Sequence, residues 1–283
     1  MSTYKINFKQ LRQDSNISEV LYALERGLSK FNIDFYLVGA VARDVWMSAI
    51  NGIPPSRITG DIDFAVFIDD KGIYENLRQY LINTEGFSSY ATNDFVLVWK
   101  KVIQVDLLPF GALENNNDKI SVGSIGLTTV NMPAFKEIYD EGLPEVELEE
   151  RHRFKFCTLP GIVILKLIAW QDRPEIRRDD IKDISKILHH FFDMYADEIY
   201  ENHNDLFGED DRGINLIGAR VMGREMSKIT KRNESLFRRI EELLKVNTDN
   251  NDSEMAKIML EFFNNTLEDN LLLLNEIRIG YLE

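Results

Sequence analysis

Hydrophobic and polar positions follow two rhythms along this chain, and the rhythm changes near residue 150. Ile17, Val20, Leu21, Leu24 and Leu28 recur at the spacing of one helix face, which predicts a helix over 17–30. The stretch 34–40 (DFYLVGA) reads as a short buried strand ending in Gly39, followed by a helix over 41–50 and a Gly- and Pro-containing loop over 51–57. Over 61–68, Ile62, Phe64, Val66 and Ile68 alternate with Asp61, Asp63, Ala65 and Phe67, a strand pattern. A helix over 72–84 follows, and 95–110 reads as two strands joined by a turn near Lys100–Lys101. Segments at 119–130 and 145–149 are candidate edge strands. Beyond that, helices are predicted over 160–171, 178–195, 213–226, 233–246, 253–264 and 267–278, with an Asn/Asp-rich joint at 247–253. The expected class is α+β: a short mixed sheet flanked by helices over 1–150, then a mostly helical domain over 151–283.

Composition narrows this picture only a little. The 283 residues carry 33 basic and 47 acidic side chains, a net charge of -14. A protein that grips long nucleic acid through its phosphates is normally basic, so the balance leans away from a general DNA or RNA binder, although it says nothing of local patches. The single cysteine, Cys157, excludes an internal disulfide and a cysteine-based metal site. The N-terminal stretch has no apolar signal-peptide core. The longest apolar run, GIVILKLIAW at 161–170, is too short for a membrane span and contains Lys166. The expectation is a soluble, cytoplasmic protein with no membrane partner.

Candidate chemistry lies in the carboxylates. Asp61 and Asp63 are two apart on one strand and therefore share a face. Two adjacent carboxylates repel each other unless a cation sits between them, and a hard dication such as Mg²⁺ suits oxygen ligands. Asp106, within the apolar VIQVDLLPF strand, is costly unless paired or coordinated. If the two strands lie side by side, three carboxylates converge, as a two-metal phosphoryl-transfer site requires. Alone, D-x-D also marks solvated strand edges and the metal–nucleotide-sugar sites of glycosyltransferases. The context upstream is a strand ending in Gly39–Ala40 with a helix directly after it, where backbone N–H groups can meet a phosphate. Arg43 near that helix start is either a phosphate ligand or the partner of an acid such as Asp44. Lys166, surrounded by apolar neighbours, either snorkels, pairs with Asp180 or Asp183, or meets a triphosphate; the two acids share a helix face at i, i+3. His189 and His190 lack the i, i+4 spacing of a helical metal pair, and with His152 and His203 they read as structural or exposed.

The order LVGAVARDVWM, RITGDIDFAV, VDLLPFG resembles the nucleotidyltransferase superfamily of polymerase-β-like enzymes. The Gly-x-x-x-Arg-Asp element looks like the turn of tRNA CCA-adding enzymes, and the pattern is most similar to the AbiEii/AbiGii-type nucleotidyltransferases, toxins of type IV toxin–antitoxin systems. KLIAWQDRPEIRRDDIKDI at 166–184 is similar to that family's second motif block, so the resemblance covers roughly 30–190. It implies a nucleotidyltransferase core over 1–150 and a helical domain completing the cleft. Asp61, Asp63 and Asp106 would be catalytic and would ligate two Mg²⁺ ions. Gly39 and Ala40 would form the phosphate turn with Arg43 nearby, and Lys166, Arg173, Asp180 and Asp183 would face the cleft. The implied reaction transfers NMP from an NTP to a hydroxyl of an RNA end such as tRNA, a protein or a small molecule, with a possible antitoxin protein as partner. Two departures stand out. Ala40 replaces the usual serine or glycine of the turn, and Asp179 stands where the family has lysine, with Arg178 or Lys182 as substitutes. They leave a second expectation, an inert nucleotide- or partner-binding module of the same fold.

Overall fold

The computed structural model describes residues 2–11, 16–55, 60–111, 119–121, 129–131, 133–208, 213–249, 252–262 and 265–283. Parts of the 51–57 loop, of the 119–130 segment and of the 247–253 joint, and the end of the 253–264 helix lie outside the described residues. The architecture is α+β. By its contacts the chain divides into two compact units, Met1–Thr158 and Leu159–Glu283.

The first unit contains β1 (Thr3–Ile6), α1 (Phe8–Leu11), α2 (Asn16–Lys30), β2 (Phe35–Val38) and α3 (Gly39–Asp44), which continues as a π-helical turn over Val45–Ile50. Then come β3 (Asp61–Phe67), α4 (Lys71–Thr84), β4 (Phe87–Tyr90), β5 (Asn93–Trp99), β6 (Ile103–Phe110), β7 (Lys119–Ser121), β8 (Thr129–Asn131), α5 (Phe135–Glu141), β9 (Glu145–Leu148) and β10 (His152–Phe156). Eight of these strands form one mixed sheet in the order β1-β9-β10-β2-β3-β6-β5-β4. The expected pair over 95–110 is the β5–β6 hairpin, and its turn residues Lys100 and Lys101 both take positive φ. In the candidate edge strand at 119–130, the described residues are not an edge of this sheet: β7 and β8 pair with each other as a separate two-stranded sheet. The helix expected at 41 starts at Gly39, because the backbone turns out of β2 at that glycine.

Alternation decides what each face of the sheet does. Ile62, Phe64 and Val66 of β3 lie beside Val105, Leu107 and Pro109 of β6, and all six positions are buried or core-facing. Helix α4 packs here: Tyr74 meets the Phe95 ring at 6.5 Å and donates its hydroxyl to the Leu107 carbonyl at 2.8 Å. The opposite face carries Asp61, Asp63, Ala65 and Phe67 beside Gln104, Asp106, Leu108 and Phe110. Its far end is covered by α5, whose Tyr139 stacks on Phe67 at 5.8 Å and meets Phe110 at 5.5 Å, while Tyr36 donates to the Phe135 carbonyl. Tyr139 and Lys155 both hydrogen-bond Asp34 at that end. The apolar and aromatic residues thus gather at one end of the face, and the carboxylates are left at the other.

The second unit is helical: α6 (Leu159–Asp172), α7 (Arg178–Met194), α8 (Ala196–Asn202), a short 3₁₀ turn, α9 (Ile214–Thr230), α10 (Glu234–Val246), α11 (Glu254–Met259) and α12 (Leu267–Leu282). Helices α9 and α12 cross with their backbones in contact. A Cβ on Gly280 would stand 2.0 Å from the Arg220 carbonyl oxygen, and one on Gly223 would stand 2.1 Å from that of Ile277. Among the described residues no helix is long and apolar enough to cross a membrane.

Candidate functional site

The acidic end of the sheet is built from three neighbouring strands. β3 and β6 run parallel with Asp63 directly opposite Asp106 and Asp61 opposite Gln104. On the other side of β3, Val38 of antiparallel β2 lies opposite Asp63, so the chain leaves β2 at Gly39 beside the Asp63 carboxylate. Gly39 has φ +66, a conformation that only glycine adopts without strain. A Cβ there would fall 2.1 Å from Asp63 Oδ2 and 2.9 Å from its Cγ. Gly39 is therefore required twice, for the backbone turn and for the space that the Asp63 carboxyl occupies. Gly39→Ala is expected to cost about 2 kcal/mol of stability through the left-handed backbone alone, and also to push the Asp63 carboxyl away. Thermal unfolding checks the first effect, and unchanged stability would show that the turn had relaxed.

Asp61, Asp63 and Asp106 are all half-buried. Burial raises Asp106 above the ordinary carboxylate range, a hydrogen bond from Gln104 works against this, and the negative charge of Asp61 adds to the rise. Gln104 Nε2 donates to Asp106 Oδ1 at 2.9 Å. Gln104 was not among the residues singled out from sequence. The signal was present, since it stands two before Asp106 on the same strand, but its neighbour Asp61 on β3 became visible only with the register. Among the described residues, no three or more His, Cys, Asp or Glu side chains are already drawn together as a ligand set for a metal ion. The three aspartates share a face at adjoining register positions without closing into a cage.

The remaining candidates lie elsewhere. Ala40 follows Gly39 in the first turn of α3 and is buried. Arg43 is 1% exposed, and its Nε and Nη2 donate to Asp44 Oδ1 at 2.9 and 2.7 Å, so the ion pair is the arrangement present. In the second unit, Lys166 is buried on α6 and meets two acids of α7. Its Nζ donates to Asp180 Oδ1 at 2.7 Å and forms an ion pair, off the hydrogen-bond direction, with Asp183 Oδ2 at 2.8 Å. Asp180 Oδ2 is buried without a hydrogen-bond donor among the described residues, with Arg177 Nη1 3.8 Å away. Arg173 follows the end of α6 and is exposed. Of the two substitutes for the missing lysine, Arg178 pairs with Glu254 and Glu261, and the Lys182 ammonium lies 4.8 Å from the Phe262 ring centroid. His152, 0% exposed, bridges Ser18 and Glu25 between β10 and α2, which is a structural placement.

No protein-family model matches the chain, the AbiEii/AbiGii type included, and no curated protein matches it. Among solved structures, the chain is similar to an antigenic nucleotidyltransferase-like protein from Paracoccidioides brasiliensis, at 15% identity and TM-score 0.41, covering 67% of this chain and 90% of that one. It is also similar to the antibiotic-resistance factor ANT(2'')-Ia, at 12% identity and TM-score 0.33, covering 68% of this chain and all of that one. A third is a CCA-adding enzyme in complex with CTP, at 14% identity and TM-score 0.33, covering all of this chain and 71% of that one.

Proposed function

We propose that this chain is a dication-dependent nucleotidyltransferase that moves a nucleoside monophosphate from an NTP to an acceptor hydroxyl. The observation that carries the reading is the register of the acidic end: Asp63 opposite Asp106, Asp61 one step along, and Gly39 leaving the space beside Asp63 that its carboxyl fills. The donor set fits a hard dication. It consists of carboxylate oxygens alone, and the Asp61 charge is felt at Asp106. Asp61, Asp63 and Asp106 would hold the metal, and Mg²⁺ bound there supplies charge neutralisation for the triphosphate and for the pyrophosphate that leaves.

The residues of the chain account for the rest. The acceptor oxygen attacks the α-phosphorus, the α–β phosphoanhydride bond breaks, and its electron pair leaves with pyrophosphate. Asp106 would take the acceptor proton on a carboxylate oxygen. The backbone N–H groups after Gly39 supply phosphate donors that do not depend on the side chain at Ala40. Arg43 is engaged with Asp44, and Lys166 with Asp180 and Asp183, so the transfer is assigned to none of these groups.

The test is a screen of four α-labelled NTPs with Mg²⁺ against total tRNA, cellular protein and small polyhydroxylated acceptors, followed by label transfer and pyrophosphate. Transfer with stoichiometric pyrophosphate is the expected result. Calorimetry with a non-hydrolysable NTP and Mg²⁺ completes it: binding without any turnover would replace the transferase by a nucleotide-binding module, and no binding would overturn both.

A further inference from the structure

Gln104 is flanked by a carboxylate in two directions. Across the parallel ladder it faces Asp61, and along its own strand it lies two residues before Asp106. On its other side β5 places Val98 opposite Gln104 and Val96 opposite Asp106. The outer neighbours are therefore apolar, and the amide is the polar group that reaches the Asp106 carboxyl, at 2.9 Å. Only the NH₂ end of an amide can donate to a carboxylate, so the contact sets the orientation of the Gln104 side chain. A carboxylate at this position would add a third negative charge beside Asp61 and Asp106. An apolar side chain would leave Asp106 Oδ1 half-buried without this donor.

A carboxylate turns easily about its last side-chain torsion, which is broad and roughly two-fold. The amide removes that freedom. We propose that Gln104 is a positioning residue of this site: it holds Oδ1 of Asp106 so that the other oxygen is the one presented to the metal and the acceptor. The inference rests on the nucleotidyltransferase reading and assigns to Gln104 no contact with substrate. Groups that orient a metal-bound side chain typically change metal affinity by about 10- to 100-fold when removed.

The experiment titrates Mn²⁺ into the full chain by electron paramagnetic resonance, using wild type, Gln104→Met, Gln104→Ala and Asp106→Asn, with thermal unfolding of each in the absence of metal. Methionine keeps the length of glutamine and lacks the donor, and alanine serves if methionine disturbs the fold. Expected is Mn²⁺ affinity per folded molecule about tenfold weaker in Gln104→Met, with at most a small fall in metal-free unfolding temperature from the lost donor. A purely structural glutamine would lower the unfolding temperature and leave affinity per folded molecule intact, which would overturn the inference. If wild type binds Mn²⁺, Asp106→Asn loses it and Gln104→Met retains it in full, only the role of Gln104 fails. If wild type binds no Mn²⁺ and Asp106→Asn is indistinguishable from it, the transferase reading itself fails and this inference goes with it.

Discussion

Replacing Asp61 and Asp63 together by asparagine is expected to lower label transfer from an α-labelled NTP at least about 10³-fold, a loss of about 4 kcal/mol in transition-state stabilisation. Asparagine keeps the size of the side chain and the half-buried positions on β3, so strand and register should survive. What disappears is the negative charge that would hold a dication. The same change relieves repulsion between carboxylates that lie close enough for the Asp61 charge to be felt at Asp106. Without metal, the double variant should therefore unfold at the same temperature as wild type or slightly above it. Lost activity together with retained or raised stability is the signature of residues kept for chemistry at the expense of stability. Undiminished labelling by the double variant would sink the metal assignment, and a large fall in stability would show that the two aspartates are structural.

The second large effect lies in the helical unit and concerns stability. Lys166→Met should destabilise that unit by about 3–5 kcal/mol, the usual cost of removing one partner from a buried ion pair. Helix α6 buries residues on nearly every side, and Lys166 is 8% exposed among them. Its ammonium is shared by Asp180 and Asp183, which stand one turn apart on α7 and are 7% and 1% exposed. Methionine matches the stem of lysine and leaves two carboxylates without their cation. Urea unfolding reads the loss, and the triple change Lys166→Met, Asp180→Asn, Asp183→Asn should recover most of it by removing the charges as well. A loss under about 1 kcal/mol in the single variant would mean that the site hydrates and that the pair adds no more than an exposed one.

Within the motif at 166–184, Lys166 is engaged with Asp180 and Asp183, while Arg173 is exposed. Lys166 was open to three readings from its apolar setting, and the ion pair is the one present. Arg43 was open to two, and its guanidinium lies on Asp44. In both cases the residue type predicted that a partner was needed, and only the packing chose it. Other elements escaped the periodic reading altogether. β1 and β4 are four residues each and largely exposed, with Ser88, Ser89 and Tyr90 carrying no apolar alternation. They are strands because a neighbour offers unpaired backbone groups, a reason that is not local. Ala134, the residue that caps the start of α5, has φ 76, a backbone conformation that alanine alone does not announce.

The carboxylate end of the sheet shows the division most clearly. The sequence by itself determined that Asp61 and Asp63 share a strand face, that Asp106 stands on another strand, and that a glycine ends the strand before them, because a period of two and the absence of a Cβ are local properties. Only the tertiary structure decided that β3 and β6 are parallel neighbours with Asp63 against Asp106, that Gln104 holds Asp106, and that α5 covers the aromatic end and not the acidic one. Those facts depend on which of several apolar strands pair and in which register. That choice is made by burying the whole of one face at once, and a single strand does not encode it.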